Sequence, residues 1–422
     1  MVQIEKAGSG YLVWWDNGVE IRVRRITDTR SAFRAELTFF HNNSPLHRSN
    51  VTMDDAGRMD SISAAMDRRL PKENFGIDWT STIEDLAGIL IDTHRAGFEA
   101  QGLGEVLESD QPTWLLDNLL IADNSNLYWA DGGSGKSYFA CWLSTLISEG
   151  RSEQGLHVVK PGRVLYLDWE TTASSIAARM GRIHKGLDIE SPSQVMYKRM
   201  ISPLESDIDS VQGIVHEHDI TLVVYDSMGM AMAGQLESQE DVTNFFRTVD
   251  SIGGTSLIIT HANKSGVLFG SQFIYNRARS VYEVSQTQSL RGSGSIDFNV
   301  WHRKANDVPL QVPQSWNVSI TEDEVQYNRI DTFLTAAASQ LSPKRLAYKL
   351  LETGPPRNKD FLVDKIIEIK SPDTAGERDK LPGEIETAIE SLVDDGTIAR
   401  SQNAQGTYAL VGDTEKRGYF RV

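Results

Sequence analysis

The fold of this chain is predicted by ADGGSGKS, the stretch Ala130–Ser137, which has the composition of a phosphate-binding loop between a strand and a helix. Glycines let consecutive backbone N–H groups turn inward around phosphate oxygens, and the next helix points its positive dipole end at them. We expect Lys136 to supply positive charge for the outer phosphates, and the Ser137 hydroxyl to bind Mg²⁺. The alternative interpretation is a Gly/Ser turn that precedes a lysine by chance.

The residues on both sides of the loop support the first interpretation. An apolar run, Asn126–Trp129, leads into the loop, and apolar residues at helical spacing follow it from Tyr138 to Ile147, with Gly150 as the stop. The loop begins with Ala130 where the motif has glycine. Alanine is acceptable at this position if its φ angle is negative.

Length, composition and charge limit the class of protein. The chain has 422 residues and a mass of 47.0 kDa, which predicts two or three domains. Cys141 is the only cysteine, so a disulfide framework and a multi-cysteine zinc site are excluded. The amino terminus lacks a signal-peptide profile and no apolar run approaches a membrane span, so we expect a cytoplasmic protein with no membrane partner. The net charge of −16 argues against charge-driven coating of nucleic acid, but it leaves room for a local basic channel.

Three parts are predicted along the chain. Residues 1–105 are expected to form a small α+β module, with strands at Tyr11–Trp15, Val19–Ile26 and Phe33–Phe40 and a helix at Ser81–His94. Residues 106–330 alternate strand and helix patterns, which predicts a mostly parallel sheet flanked by helices. The chain turns polar after Val312-Pro313. Residues 331–422 are expected to form three helices, at Leu346–Leu351, Asp360–Ile369 and Pro382–Asp394, and a hairpin.

The first part combines arginines with aromatic residues. Arg22, Arg24, Arg25, Arg30 and Arg34 are close in sequence to Trp14, Trp15, Phe39 and Phe40. Such a mixture is typical of a platform for single-stranded nucleic acid, but aromatic residues in a small β module also commonly form its core.

In the middle part, three buried-strand patterns each end in polar residues. They end in Asp168-Trp169-Glu170, in Asp226-Ser227 and in His261. Ligands of open α/β sheets bind beyond the carboxyl ends of the strands, so we expect these side chains to face a nucleotide.

Asp226 is the expected second magnesium residue, although an aspartate can simply end a strand. Ser227 follows it, where many ATPases have the glutamate that activates water. We therefore expect the base to come from another strand, with Glu170 as the first candidate and Asp168 as the alternative. A carboxylate that only stabilises the start of a helix is the competing interpretation for Glu170.

Taken together, these segments resemble the RecA-like ATPase core, and within it the plasmid RepA-type hexameric helicases and their phage relatives. The resemblance rests on Ala130–Ser137, Leu165–Glu170, Leu222–Ser227 and Ile258–His261, and it extends from about Pro112 to Val312. It implies that Glu170 is the base and that His261 senses the γ-phosphate. Weaker similarities are Gly270-Ser271 and the segment Arg277–Val284.

The resemblance also implies a cation that acts on the nucleotide of a neighbouring subunit. The strand Trp301–Asp307 resembles the family's lysine-asparagine-arginine strand, but this chain has Lys304-Ala305-Asn306. The identity of the cation therefore stays open between Arg303, Lys304 and Arg291, and an exposed charged edge strand is the alternative.

The expected cofactors are ATP and Mg²⁺. The expected catalytic residues are Glu170, Lys136 and His261, and the expected metal ligands are Ser137 and Asp226. The expected nucleotide-binding residues are Asp131, Gly132, Gly133, Ser134, Gly135, Lys136, Ser137, Tyr138, Arg303 and Lys304.

Two further segments suggest partners. The glycine- and serine-rich segment Gln286–Ser295 is expected either to line a channel that holds single-stranded DNA or to form a plain surface hairpin. The carboxy-terminal helices and hairpin resemble a winged helix, whose third helix commonly enters the major groove. Here that helix contains acidic residues, which would repel phosphate: Glu384, Glu386, Glu390, Asp394 and Asp395. A protein-contact or structural role is therefore at least as well supported as DNA reading.

The sequence therefore predicts Mg²⁺-dependent ATP hydrolysis that drives action on DNA, with a RepA-like replicative helicase ring as the leading version. A recombinase or single-strand annealing ATPase is the second version, and a nucleotide-dependent regulatory or scaffold protein without DNA translocation is the third. The expected partners are further copies of the chain in a ring or filament, most simply a hexamer, single-stranded DNA, and other replication or recombination proteins.

Overall fold

A computed structural model describes residues 2–7, 10–16, 18–28, 32–42, 44–96, 113–191, 193–263, 266–270, 272–288, 295–372, 374–400 and 406–411. The chain divides into two compact units. The first unit comprises Met1–Gln111, Leu204–Asp219 and Arg247–Gly253, and the second comprises the remaining residues. The predicted division into 1–105, 106–330 and 331–422 stays a prediction.

The first unit is built on a five-stranded antiparallel meander. Its strands are β1 (Val2–Ala7), β2 (Gly10–Trp15), β3 (Val19–Asp28), β4 (Phe33–His41) and β5 (Ser44–Thr52), in that spatial order. Its helices are α1 (Ala56–Arg69), α2 (Lys72–Phe75) and α3 (Trp79–Ala96), together with α6 (Leu204–Glu217) from later in the chain. The alternation of buried and exposed residues along the strands places one sheet face against α1 and α3 in a single apolar core.

The aromatic residues of this sheet take different roles. Phe39 is fully buried in the core, and Trp15 packs against that core. Phe40, next in sequence, points to the other face, where the Arg22 guanidinium lies 4.3 Å from the centre of its ring. The core interpretation thus applies to Phe39 and Trp15, whereas Phe40 is paired with an arginine.

The second unit is built on a nine-stranded sheet. Its strands are β8 (Ser125–Ala130), β9 (Arg163–Asp168), β10 (Met196–Arg199), β11 (Ile220–Asp226), β12 (Thr255–His261), β13 (Ser280–Gln288), β14 (Ser295–Ala305), β15 (Gln314–Ile320) and β16 (Val325–Ile330). The spatial order is β10-β9-β11-β12-β8-β13-β14-β15-β16. The strands from β10 to β13 in this order are parallel, and β14 to β16 continue the sheet antiparallel.

Helices cover this sheet as predicted. They are α4 (Lys136–Glu149), α5 (Ala173–Gly186), α7 (Met228–Ala231), α8 (Gln239–Ile252), of which the last turns belong to the first unit, and α9 (Gln272–Arg277). Residues of α4 and α5 form one core with the sheet, and on the opposite face Tyr225 of β11 contacts Phe245 of α8. A small hairpin of β6 (Trp114–Leu116) and β7 (Leu120–Ile121) precedes β8. This mixed α/β arrangement, with a large and mostly parallel sheet, fits a RecA-like fold.

The end of the second unit has its own apolar cluster. It contains two 3₁₀ turns (Thr332–Leu334 and Ala336–Gln340), α10 (Pro343–Glu352), β17 (Arg357–Asn358), α11 (Lys359–Lys370), α12 (Ala375–Asp394), β18 (Ile398–Arg400) and β19 (Thr407–Leu410). The three short strands form an antiparallel sheet in the order β17-β19-β18.

Two details differ from the sequence prediction. α12 begins at Ala375 rather than at Pro382, because Thr374 and Glu377 form a reciprocal capping box that starts the helix earlier. The polar stretch after Pro313 forms β15 and β16, since their alternate residues Trp316, Val318, Val325 and Tyr327 enter the sheet core. Within the described residues, no helix combines the length and the apolar character that a membrane span requires.

Candidate functional site: a phosphate-binding loop and its strand ends

The predicted phosphate-binding loop connects β8 to α4. Gly133 and Gly135 have φ angles of +75° and +82°, which explains why glycine is needed there. Gly135 is the N-cap of α4 and the helix has no side-chain cap, in contrast to α5, α10, α11 and α12. The first N–H groups of α4 are therefore available to an anion. Ala130 is not among the residues with positive φ, so alanine fits where the motif has glycine.

Lys136 is buried and points back over the loop. Its Nζ donates hydrogen bonds of 2.8 Å to the backbone oxygens of Ala130 and Asp131. Burial lowers the pKa of Lys136 to about 8, while the negative charges of Asp226 and Glu170 act in the opposite direction. The ammonium group thus lies inside the loop, where a bound phosphate would restore its full charge.

The two predicted metal ligands lie together. The Ser137 hydroxyl hydrogen-bonds to the carboxylate of Asp226, the last residue of β11. Tyr166 of β9 donates a hydrogen bond of 2.6 Å to Asp226 Oδ2. Burial raises the pKa of Asp226, and the hydrogen bonds from Tyr166 and Ser137 lower it. A hydroxyl and a carboxylate beside a phosphate loop suit Mg²⁺, which is commonly held by one or two carboxylates together with substrate phosphates.

Glu170 follows β9 and meets residues from two other strand ends. Its Oε1 lies 3.4 Å from His261 Nε2 and accepts a hydrogen bond from Ser227 Oγ. The peptide bond between Asp226 and Ser227 is cis. The hydrogen bond from His261 is the main cause that lowers the pKa of Glu170 to about 2, with burial opposing it and Ser227 assisting. Glu170 is therefore ionised across the physiological range, as a general base must be.

Sheet register explains why these residues meet. Asp226 lies opposite Asp168, and His261 lies opposite Ala130, so four parallel strands end at one edge. Asp168 is fully buried, and both of its carboxylate oxygens accept hydrogen bonds. Because a water molecule has no access to it, Asp168 is less suited than Glu170 to act as the base.

A cleft of about 290 Å³ runs along the loop. Its walls include Asp131–Ser134 of the loop and residues Glu283–Gln286 in the middle of β13. A Cβ atom at Gly132 or Gly133 would have no neighbour within 4 Å, so the loop backbone faces open space there. The space fits part of a nucleotide.

Arg303 and Lys304 lie on β14, outside the cluster formed by the ends of β9, β11 and β12. On β14, Lys304 stands opposite Val281, which in turn stands opposite Leu127, three residues before Ala130. Lys304 Nζ donates to the backbone oxygens of Tyr275, Asn276 and Ala278, at 2.6–2.9 Å, and so holds the carboxyl end of α9. Arg303 pairs with Glu283 at 2.7 Å and donates to Gln340.

Their assignment to a neighbouring subunit's nucleotide stays a prediction. The third candidate, Arg291, lies outside the described residues, as do Ser271 and most of the segment Gln286–Ser295.

Sequence reasoning missed the partners of the carboxylates. Tyr166 was only part of an apolar run, and Ser227 was noted only because it is not a glutamate. The signal for Ser227 was its position directly after Asp226, at a strand end that faces the ligand edge.

Part of this chain is similar to known proteins. Residues 97–267, less than half of the chain, match a family described as an AAA domain. A crystal structure of a KaiC-like protein from the hyperthermophilic archaeon Pyrococcus horikoshii OT3 is 13% identical, covers 52% of this chain and 97% of that chain, and has a TM-score of 0.38. No curated protein sequence matches the chain.

The matched family region includes the phosphate-binding loop, Glu170, Asp226 and His261. Together with the loop geometry, this match supports a P-loop ATPase-type domain in the central part of the chain.

Proposed function

We propose that this chain is a Mg²⁺-dependent ATPase that acts on DNA, with a replicative helicase ring as the leading form. The observation that carries the ATPase chemistry is that the ends of β9, β11 and β12 meet beside Lys136. There Ser137 of α4 lies with Asp226, and Glu170 contacts Ser227 and His261.

In this proposal each residue has one task. The loop N–H groups and Lys136 hold the triphosphate. Ser137 and Asp226 would hold Mg²⁺, which would supply neutralising charge for the phosphates. Glu170 orients the attacking water and takes its proton while the water oxygen bonds to the γ-phosphorus, the bond from the γ-phosphorus to the bridging oxygen breaks, and ADP leaves. His261 contacts the base directly, so a change at the γ-phosphate can reach β12 through this contact.

The action on DNA rests on the resemblance to RepA-type helicases and on the position of Glu170 at the strand after the loop helix. We propose single-stranded DNA and further copies of the chain as partners, in a ring such as a hexamer. A recombinase or annealing ATPase uses the same chemistry and remains the second candidate. A regulator without DNA translocation is the third, favoured by the net charge of −16.

We further propose that residues 331–422 are a winged-helix-like domain. The chain order α10-β17-α11-α12-β18-β19, with a three-stranded antiparallel sheet, supports this. Its third helix exposes Glu386, Glu390 and Asp394, and Glu386 pairs with Lys359 at 3.1 Å. These charges would repel phosphates, so we propose a protein-contact or structural role for this domain.

The first experiment measures ATP turnover of the full chain with and without oligonucleotides, together with native mass and strand separation. We expect turnover that single-stranded DNA stimulates, a ring-sized mass, and unwinding. A DNA-coating filament that anneals strands without unwinding them would indicate the recombinase, and ATP binding with no response to DNA across a salt series would indicate the regulator.

The second experiment tests the base. Glu170→Gln is expected to lower kcat by about 100- to 10,000-fold while Mg-ATP binding persists. Glu190→Gln, at an exposed glutamate of the same unit, is the matched control and should turn over normally. Normal turnover by Glu170→Gln would show that another group activates water.

A further inference from the structure

Asp168 ends β9 and closes the turn that carries Glu170. Its Oδ1 accepts hydrogen bonds of 2.9 Å from the backbone N–H groups of both Glu170 and Thr171. The preceding residue is still tied to the sheet, because Trp169 N donates to Asp226 O at 2.9 Å. The path of the backbone at Glu170 is therefore set by the Asp168 carboxylate rather than by strand pairing.

The same carboxylate is anchored on its other side. Its Oδ2 accepts hydrogen bonds from Thr171 Oγ1 at 2.9 Å and from Tyr197 Oη, on the neighbouring strand β10, at 3.0 Å. Arg199 of β10 lies 3.7 Å from Oδ1 and donates to the Asp168 backbone oxygen at 2.9 Å. A buried carboxylate is costly unless donors surround it, and here donors arrive from the turn and from β10.

The side chain of Glu170 is held from the opposite direction. Ser227 and His261 contact only the Oε1 atom of Glu170, so they do not by themselves fix the Cα atom or the side-chain torsions. Once the Cα atom of Glu170 is fixed, the choice of a side-chain rotamer is enough to bring the carboxylate to Ser227 and His261. A displacement of about 1 Å at a reacting group can cost about 100-fold in rate.

We propose that Asp168 is a positioning residue: it fixes the backbone of Glu170 so that the Glu170 carboxylate reaches Ser227, His261 and the attacking water. This inference rests on the proposed role of Glu170 as the base.

Two substitutions separate hydrogen-bond geometry from charge. In Asp168→Asn, the amide oxygen can still accept both backbone N–H groups, and the amide nitrogen can donate to the hydroxyls of Thr171 and Tyr197 once they rotate. Asp168→Ala removes every acceptor. Positioning therefore survives in the asparagine variant and is lost in the alanine variant.

The test measures kcat, KM and the Mg-ATP dissociation constant for the full chain. We expect Asp168→Ala to lower kcat by about 10- to 100-fold, with ATP affinity changed less than about threefold, because the loop that holds the phosphates is untouched. Asp168→Asn is expected to keep kcat within about fivefold of the wild type. Asp323→Ala, at an exposed aspartate, is the matched control.

Three outcomes would overturn the inference. They are normal kcat in Asp168→Ala, an asparagine variant as slow as the alanine variant, and a loss of ATP binding that parallels the loss of kcat. Glu170→Gln, measured beside them, distinguishes the two proposals: normal turnover there refutes the base itself, whereas an inactive Glu170→Gln with a normal Asp168→Ala refutes only the positioning.

Two milder variants keep the test decisive if Asp168→Ala does not fold. Tyr197→Phe and Thr171→Val each remove a hydroxyl donor to Oδ2, and each is expected to lower kcat by about two- to fivefold with ATP affinity unchanged. Wild-type kcat in both would overturn the inference.

Discussion

Tyr166→Phe removes one hydroxyl from the metal-binding side of the site. Tyr166 is fully buried and donates a hydrogen bond of 2.6 Å to Asp226 Oδ2. Phenylalanine fills the same space, so the substitution leaves no cavity beyond the missing oxygen. Its main effect is therefore the loss of this hydrogen bond, together with the weaker interaction of the Tyr166 hydroxyl with the Cys141 thiol.

The expected loss follows from the burial of both groups. Asp226 is 2% exposed, so water cannot replace the lost donor. A hydrogen bond to a buried charged group contributes about 1.5–3 kcal/mol, so we expect the free energy of unfolding to fall by about 2 kcal/mol. Burial already raises the pKa of Asp226 and the Tyr166 hydrogen bond opposes this, so the pKa rises further in the variant. Because Mg²⁺ needs the ionised carboxylate, Mg-ATP affinity should also fall, most clearly at low pH.

The assay is urea unfolding of both proteins at neutral pH, followed by Mg²⁺ titration in the presence of ATP. Tyr327→Phe is the control, since Tyr327 packs in the same core and its hydroxyl forms no hydrogen bond within the described part of the chain. The control should change stability by less than about 0.5 kcal/mol. Equal stability and equal Mg-ATP affinity in Tyr166→Phe and the wild type would refute the reasoning.

Four further substitutions test separate parts of the second unit. Lys304→Met should lower the free energy of unfolding in urea by about 2 kcal/mol, because three carbonyl groups at the end of α9 lose a charged donor. Lost ATP turnover with unchanged stability would instead support a role at the nucleotide of a neighbouring subunit. Burial lowers the pKa of His302 to about 4. The neutral form therefore stabilises the fold above pH 6.5, and the free energy of unfolding should fall by about 3 kcal/mol in all as pH decreases toward 4. His302→Gln should flatten that part of a pH–stability curve, and an unchanged curve would show that another group titrates. Gly135→Ala should lower the free energy of unfolding by about 1–2 kcal/mol because the φ angle of Gly135 is +82°. Gly132→Ala, at a glycine without a positive φ, should leave the free energy of unfolding nearly unchanged in scanning calorimetry, and equal losses in the two variants would contradict this.

Local patterns predicted the elements that hold the site. The apolar runs of β8, β9, β11 and β12 stood out because a strand buried on both faces reads as a continuous apolar segment. The loop glycines marked the turn into α4, and the polar residues after each run marked the edge of the sheet. Elements with weaker patterns, such as β5 and β15, were missed. β5 is an edge strand whose residues are mostly exposed or half-buried, and the inner strand β15 buries polar residues such as Gln314 and Ser315.

Amino-acid order by itself determined where each polar residue would emerge from the sheet, because strand ends and loop starts depend on neighbours along the chain. Only the tertiary structure decided which residues meet. Glu170 contacts Ser227 and His261, Tyr166 contacts Asp226, and the buried Asp168 carboxylate accepts hydrogen bonds from the backbone of Glu170. These contacts join residues far apart in sequence, and the register of parallel strands, which is set by the packing of the whole sheet, brings them within hydrogen-bond distance.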